Sequence, residues 1–157
     1  MDVNVNDAKS GKPFTATISE PPTSFFDFVG SFELSDDRIR SLIDNINVSA
    51  DMKALLYSFS KATITVGRAI VKIGRKILDS LFLLLKSFPS LTFGMAFGLV
   101  VGALIAAIPL IGVVLGGPAT ILALGFGVVL GGMNELKQGD LGERVSDLLD
   151  RLSPLAT

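Results

Sequence analysis

The stretch from Leu91 to Met133 contains no charged residue, and this feature most constrains what the chain of 157 residues can fold into. Its 43 residues are about twice the roughly 20 apolar residues with which one helix crosses the ~30 Å hydrocarbon core of a bilayer. The length therefore predicts two membrane spans within residues 89–133, one over Ser90–Ile108 and one over Val113–Met133. The fold class that follows is an all-α integral membrane protein built around a helical hairpin.

Prolines and glycines divide the uncharged stretch. Pro89 ends or redirects the preceding helix, because proline lacks the backbone N–H of a helix interior. Pro109 and Gly112 predict a tight reversal between the spans, and Pro118 predicts a kink in the second span.

Glycines recur at four-residue spacing along both predicted spans. The positions in this pattern are Gly94, Gly98 and Gly102 in the first span, and Gly112, Gly116, Gly127 and Gly131 in the second. Small residues four apart let helix backbones approach closely in lipid. The pattern predicts either packing of the hairpin on itself or contact between protomers, and we expect a homo-oligomer.

Residues 35–88 predict two amphipathic helices. The first spans Ser35–Ile46, with Ser35 as N-cap and isoleucines on one face. The second is a long basic helix over Ser49–Phe88, in which Asp79 is spaced to pair with Arg75. The bases expected to contact anionic lipid headgroups are Lys61, Arg68, Lys72, Arg75, Lys76 and Lys86. The alternative is a helix packed on protein with a solvated basic face. Nucleic acid is not expected as a partner, because no aromatic residues alternate with these bases.

The two ends of the chain complete the domain plan. Residues 1–34 predict an irregular segment whose four phenylalanines, between Phe25 and Phe32, either bind a protein partner or pack on the chain's own helices. Residues 134–157 predict a short amphipathic helix with Leu141, Val145 and Leu148 on its apolar face.

Charge is distributed unevenly along the chain and predicts the membrane topology. Residues 53–86 hold seven bases and one acid, bases also follow the second span, and the connecting turn is uncharged. The positive-inside bias therefore places both termini on one side of the membrane, the cytoplasmic side or the side of entry.

Catalytic chemistry has little support in the sequence. Cysteine and histidine are absent, and with them the thiolate, the imidazole base and the usual ligands for transition metals. The glycine-rich segments do not end in the Gly-Lys-Ser/Thr of a phosphate loop. We expect a non-enzyme without a cofactor or a metal site.

Two functions are consistent with this plan. An uncharged hairpin among amphipathic helices resembles in layout, though in no shared motif, the pore-forming domains of colicins. That resemblance implies a protein that inserts into membranes and permeabilises them, and the glycine pattern adds the assembly of protomers into an oligomer. The alternative is a permanent membrane anchor or scaffold subunit of a larger secretion, phage or viral assembly. The lack of polar residues along the hairpin favours the anchor, and the lack of a separate domain to be anchored favours the pore.

Overall fold

A computed structural model of the protein describes residues 1–6, 12–126 and 139–156, and it shows a mixed α and β fold. Four strands form an antiparallel sheet in the order β2-β1-β3-β4, namely β1 (Asp2–Asn6), β2 (Pro13–Thr17), β3 (Ile64–Val66) and β4 (Ala69–Val71). The described α-helices are α1 (Thr23–Gly30), α2 (Asp36–Asp44), α3 (Ala50–Ser60), α4 (Ile73–Ser87), α5 (Phe93–Ala107), α6 (Pro109–Gly125) and α7 (Gly139–Leu152). A short 3-10 helix, Ser153–Ala156, follows α7. The prediction of an all-α fold is therefore wrong.

The N-terminal segment forms half of the sheet rather than an irregular arm. Val3 and Val5 are buried on one face of β1, while Asn4 on the other face accepts a hydrogen bond from the Thr15 hydroxyl at 2.7 Å. Val3 pairs with Ala16 on one side and with Val66 on the other, so β1 is an inner strand. This alternation has a period of two, the period of a half-buried strand.

The predicted long basic helix is wrong between residues 61 and 72, where a β-hairpin separates α3 from α4. β3 and β4 pair through Val66 and Ala69, which leaves a two-residue turn of Gly67 and Arg68. Gly67 has a φ of +61°, which a glycine adopts without steric cost. The β-branched residues on both sides of this turn favour strand over helix.

The uncharged stretch supplies the centre of the protein's own core. Helix α5 is buried along almost its whole length, and its Phe97 ring lies 5.6 Å from Phe59 of α3 and 5.8 Å from Phe126. A helix that is apolar on all sides must be buried, but protein can cover it as well as lipid. Here α4, α6 and α7 contact it from within the same chain.

The membrane predictions are corrected by the lengths of these helices. Helices α5 and α6 have 15 and 17 residues, about 22 and 25 Å at 1.5 Å per residue, against a ~30 Å hydrocarbon core. Among residues 1–6, 12–126 and 139–156, no helix is long and apolar enough to span a bilayer. The transmembrane hairpin, the pore built from it and the integral membrane location are therefore wrong.

The expected turn residues also have other roles. Ile108 alone separates α5 from α6. It is the C-cap of α5 and the N-cap of α6. Pro109 begins α6 and Gly112 lies in its first turn, so Pro109–Gly112 is helical rather than a reversal. Pro118 lies inside α6, and the predicted end of the second span lies outside the described residues.

Candidate functional site

An open groove of about 380 Å³ lies where α2, the end of α3 and the start of α4 meet. Arg40, Lys61, Lys72 and Arg75 line it together with one acid, Asp36. The apolar side chains of Ile39 and Ile43 and three hydroxyl groups complete the lining. The groove is therefore a concave surface on which positive charge prevails.

The β-hairpin between α3 and α4 brings the two lysines of the groove together. Lys61 is the C-cap of α3 and Lys72 is the N-cap of α4. The two lysines therefore flank the β3–β4 hairpin in the sequence. The two helices touch at Gly74, where a Cβ would lie 1.8 Å from the backbone oxygen of Phe59. Gly74 N–H also donates to the Ala62 oxygen at 3.1 Å. Only glycine permits this approach, and the approach sets the position of Lys72 relative to Lys61.

Three of the groove's cations have no partner. Among the described residues, the side chains of Arg40, Lys61 and Lys72 make no hydrogen bond or ion pair. All three are exposed at the groove. The groove's acid is already paired, because Asp36 Oδ1 accepts from Arg75 Nε at 2.9 Å. The hydrogen bond and the charge of Arg75 hold the pKa of Asp36 below its usual 3.8.

Arg75 is part of a buried network on the inner side of α4. Its Nη1 lies 3.4 Å from Asp79 Oδ1, which confirms the pair predicted from the spacing, and its Nη2 donates to the Leu34 oxygen. Asp79, 1% exposed, also accepts from the backbone N–H groups of Leu34 at 2.9 Å and Glu33 at 3.3 Å. The network fastens α4 to the segment before α2. Arg75 is therefore a fixed part of the groove wall.

Lys76 is likewise turned into the protein. It is 5% exposed, its Nζ donates to the Ser31 oxygen at 2.7 Å, and it lies 4.1 Å from the centre of the Phe28 ring. Burial lowers its pKa below the usual 10.5. Phe25 is buried, and Phe32 lies 4.6 Å from the Arg75 guanidinium, so these rings contact their own chain. A protein partner at Phe25–Phe32 stays a prediction.

Two of the groove's hydroxyl groups already donate their protons. Tyr57 Oη donates to Asp44 Oδ1 at 2.5 Å and also lies 3.2 Å from the Arg40 backbone oxygen. Ser60 Oγ donates to the Tyr57 oxygen at 2.6 Å. The hydrogen bond to the Asp44 carboxylate is the main reason that the pKa of Tyr57 is raised above 10. Tyr57 therefore keeps its proton at neutral pH.

The other predicted binding residues lie apart from the groove. Arg68 is at the tip of the β-hairpin and Lys86 is in the last turn of α4, both exposed. Gly94, Gly98 and Gly102 are buried inside the chain in α5. Gly112 and Gly116 are half-buried in α6. Gly127 and Gly131 lie outside the described residues.

A second cavity, of about 160 Å³, lies between α4, α5 and α7. It is mostly apolar, and Arg151 at its edge is paired with Asp147 at 3.0 Å. Among the described residues, no group of acidic side chains is arranged to hold a metal ion. Arg144 also lines this cavity and makes no ion pair with the described residues, so the groove differs from the cavity in holding three such cations rather than one.

Sequence reasoning missed Arg40, Tyr57, Ser60 and Thr63 as groove residues. They come from α2, from α3 and from the loop before β3, and no local spacing connects them. Comparison of the chain with known proteins gave no match to any protein family, curated protein or solved structure.

Proposed function

We propose that the protein is a non-catalytic binding protein that holds a small anionic ligand in the groove between α2, α3 and α4. The observation that carries the proposal is the set of three cations, Arg40, Lys61 and Lys72, which lack a partner among the described residues and surround a concave surface whose one described acid is neutralised by Arg75. Ligand sites are typically concave and combine an apolar lining with a few convergent polar groups.

The electrostatics of the groove support an anion. Four bases against one acid among the described lining residues leave an excess of positive charge on a concave surface. The first turn of α4, which begins at Ile73, adds the partial positive charge of backbone N–H groups at a helix N-terminus.

The arrangement of the hydroxyl groups supports binding rather than catalysis. A nucleophilic hydroxyl needs a base that takes its proton. Ser60 instead donates to a backbone oxygen, which cannot take its proton, and the hydrogen bond to Asp44 raises the pKa of Tyr57 rather than lowering it. Neither arrangement activates the oxygen for attack.

Isothermal titration calorimetry with inorganic phosphate at neutral pH and low salt tests the proposal. We expect saturable binding to a single site that weakens as salt is added. Lys72→Gln is expected to weaken binding about fivefold, because one charged contact is worth on the order of 1 kcal/mol.

Lys86→Gln is the matched control, since it removes the same charge from the far end of the same helix. The control is expected to bind phosphate as the wild type does. Equal losses in both variants, or no saturable binding by the wild type, would contradict the proposal.

A homo-oligomer stays a prediction, as does a role as a subunit of a larger assembly. The Gly94, Gly98 and Gly102 ladder is used for packing inside the protomer. Substituting those glycines would therefore disturb the fold before it reported on assembly. The mass of the wild-type protein in solution tests the oligomer directly.

A further inference from the structure

The hydroxyl groups in the groove indicate what the ligand must carry besides its charge. A hydroxyl group has one proton to donate and two lone pairs to accept. Tyr57 and Ser60 have already donated to Asp44 and to the Tyr57 backbone oxygen. Toward a ligand they therefore present only acceptor lone pairs, and a fully ionised anion such as sulfate has no proton to offer them.

The volume of the groove indicates a carbon skeleton. Ile39 is 4% exposed and Ile43 is fully buried, so both are packed into the protein and offer a ligand almost no apolar surface. A volume of about 380 Å³ holds more than a bare oxyanion and suits a small organic molecule.

The number of unpaired cations indicates the charge of the ligand. Arg40, Lys61 and Lys72 together bring three positive charges that no group on the described chain neutralises by direct contact. A phosphomonoester carries about −1.5 to −2 at neutral pH and has three acceptor oxygens. It matches these donors better than a single carboxylate does.

Building on the proposed function, we propose that the ligand is the phosphomonoester of a polyhydroxylated carbon skeleton, a sugar phosphate in chemical class. Its phosphate lies among Arg40, Lys61 and Lys72, and its hydroxyl groups donate to the oxygens of Tyr57 and Ser60.

The experiment compares three probes by isothermal titration calorimetry on the full chain: glucose 6-phosphate, methyl phosphate and glucose. Methyl phosphate has the same charged group without the hydroxyls, and glucose has the hydroxyls without the charge. We expect glucose 6-phosphate to bind about tenfold more tightly than methyl phosphate, the gain from one to two additional hydrogen bonds. Glucose is expected to show no saturable binding.

Tyr57→Phe and Ser60→Ala locate the hydroxyl contacts. Each is expected to reduce the preference for glucose 6-phosphate over methyl phosphate by about threefold. Ser60→Ala is the safer variant, because Tyr57→Phe also removes the hydrogen bond to Asp44. Circular dichroism verifies that both variants are folded.

The outcomes separate the two proposals. Equal affinity for glucose 6-phosphate and methyl phosphate overturns the sugar phosphate and leaves the anion-binding groove intact. A preference that survives in both folded variants also overturns it, since the hydroxyls are then bound elsewhere. Absence of binding for every phosphate probe overturns the proposed function itself.

Discussion

Helix α4 carries basic side chains in two opposite situations, and their comparison separates stability from function. Arg75 and Lys76 are buried; Arg75 donates to the Asp36 and Asp79 carboxylates and to the Leu34 oxygen, and Lys76 donates to the Ser31 oxygen. Lys72, at the start of the same helix, is exposed and has no partner in the described part of the chain. Buried charges with complete partners hold a fold together, while exposed charges without partners are available to a ligand. Four predictions test this division.

Removing the carboxylate of the buried network has the largest expected effect. Asp79→Ala leaves the Arg75 guanidinium with one partner fewer and two backbone N–H groups without an acceptor. We expect the free energy of unfolding to fall by about 3–5 kcal/mol, measured by urea denaturation. Asp147→Ala is the control, because it breaks an exposed pair of the same i,i+4 spacing and should cost under about 1 kcal/mol. Similar losses of unfolding free energy in both variants would show that burial does not determine how much such an ion pair contributes to stability.

Substituting the glycine at the contact between α3 and α4 has the next largest expected effect. In Gly74→Ala the new Cβ meets the Phe59 backbone oxygen at 1.8 Å, and a backbone atom cannot simply rotate away. We expect a loss of about 1–3 kcal/mol in the free energy of unfolding and weaker phosphate binding, since Lys72 moves relative to Lys61.

Gly116→Ala is the matched control for Gly74→Ala. A Cβ at Gly116 has no heavy atom within 4 Å, and the position lies inside α6. The substitution should leave binding unchanged and stabilise the protein by up to about 1 kcal/mol, the difference in helix propensity. Destabilisation at Gly116 as large as that at Gly74 would contradict the close-approach explanation.

Lowering the pH should reduce the free energy of unfolding, partly because Asp36 becomes protonated. Its folded pKa lies below the usual 3.8 because of Arg75, so its contribution to stability is complete above that value and is lost as pH falls through the folded pKa. The effect is small because Asp36 is exposed. Urea denaturation at a series of acidic pH values should show a shallower decline for Asp36→Asn than for the wild type. A decline of equal slope in the two proteins would place the acid sensitivity elsewhere.

Neutralising the cations of the groove should have the smallest effect on stability. Lys72→Gln and Lys61→Gln remove charges that have no partner, so the free energy of unfolding should change by less than about 0.5 kcal/mol while phosphate binding weakens. Thermal melts together with calorimetry measure both. A large loss of stability in either variant would mean that the lysine serves the fold after all.

Local patterns in the sequence predicted some elements well. Ser35 caps α2 by accepting from the Arg38 N–H at 3.1 Å, as its position before two aspartates indicated. The i,i+4 spacing of Arg75 and Asp79 gave the pair that the structure contains. These features depend on residues within one turn of each other, which is the range over which a helical period is informative.

Features that depend on distant contacts were not predictable in the same way. Residues 64–71 fit a helical period although their β-branched side chains favour strand, and the pairing of β3 with β1, far away in the chain, was not visible in the sequence. The uncharged stretch was ambiguous between lipid and protein surroundings, because both bury an apolar helix. The groove combines side chains from three elements and leaves no pattern in the sequence at all.

The order of strands in the sheet has a consequence for how the protein assembles during synthesis. β1 lies between β2 and β3, but β3 belongs to a hairpin that leaves the ribosome long after β1 and β2. Until then one edge of β1 is open, and a pairing of this separation closes more slowly than a local one. The two lysines that flank the late hairpin reach their final places only when that pairing is complete.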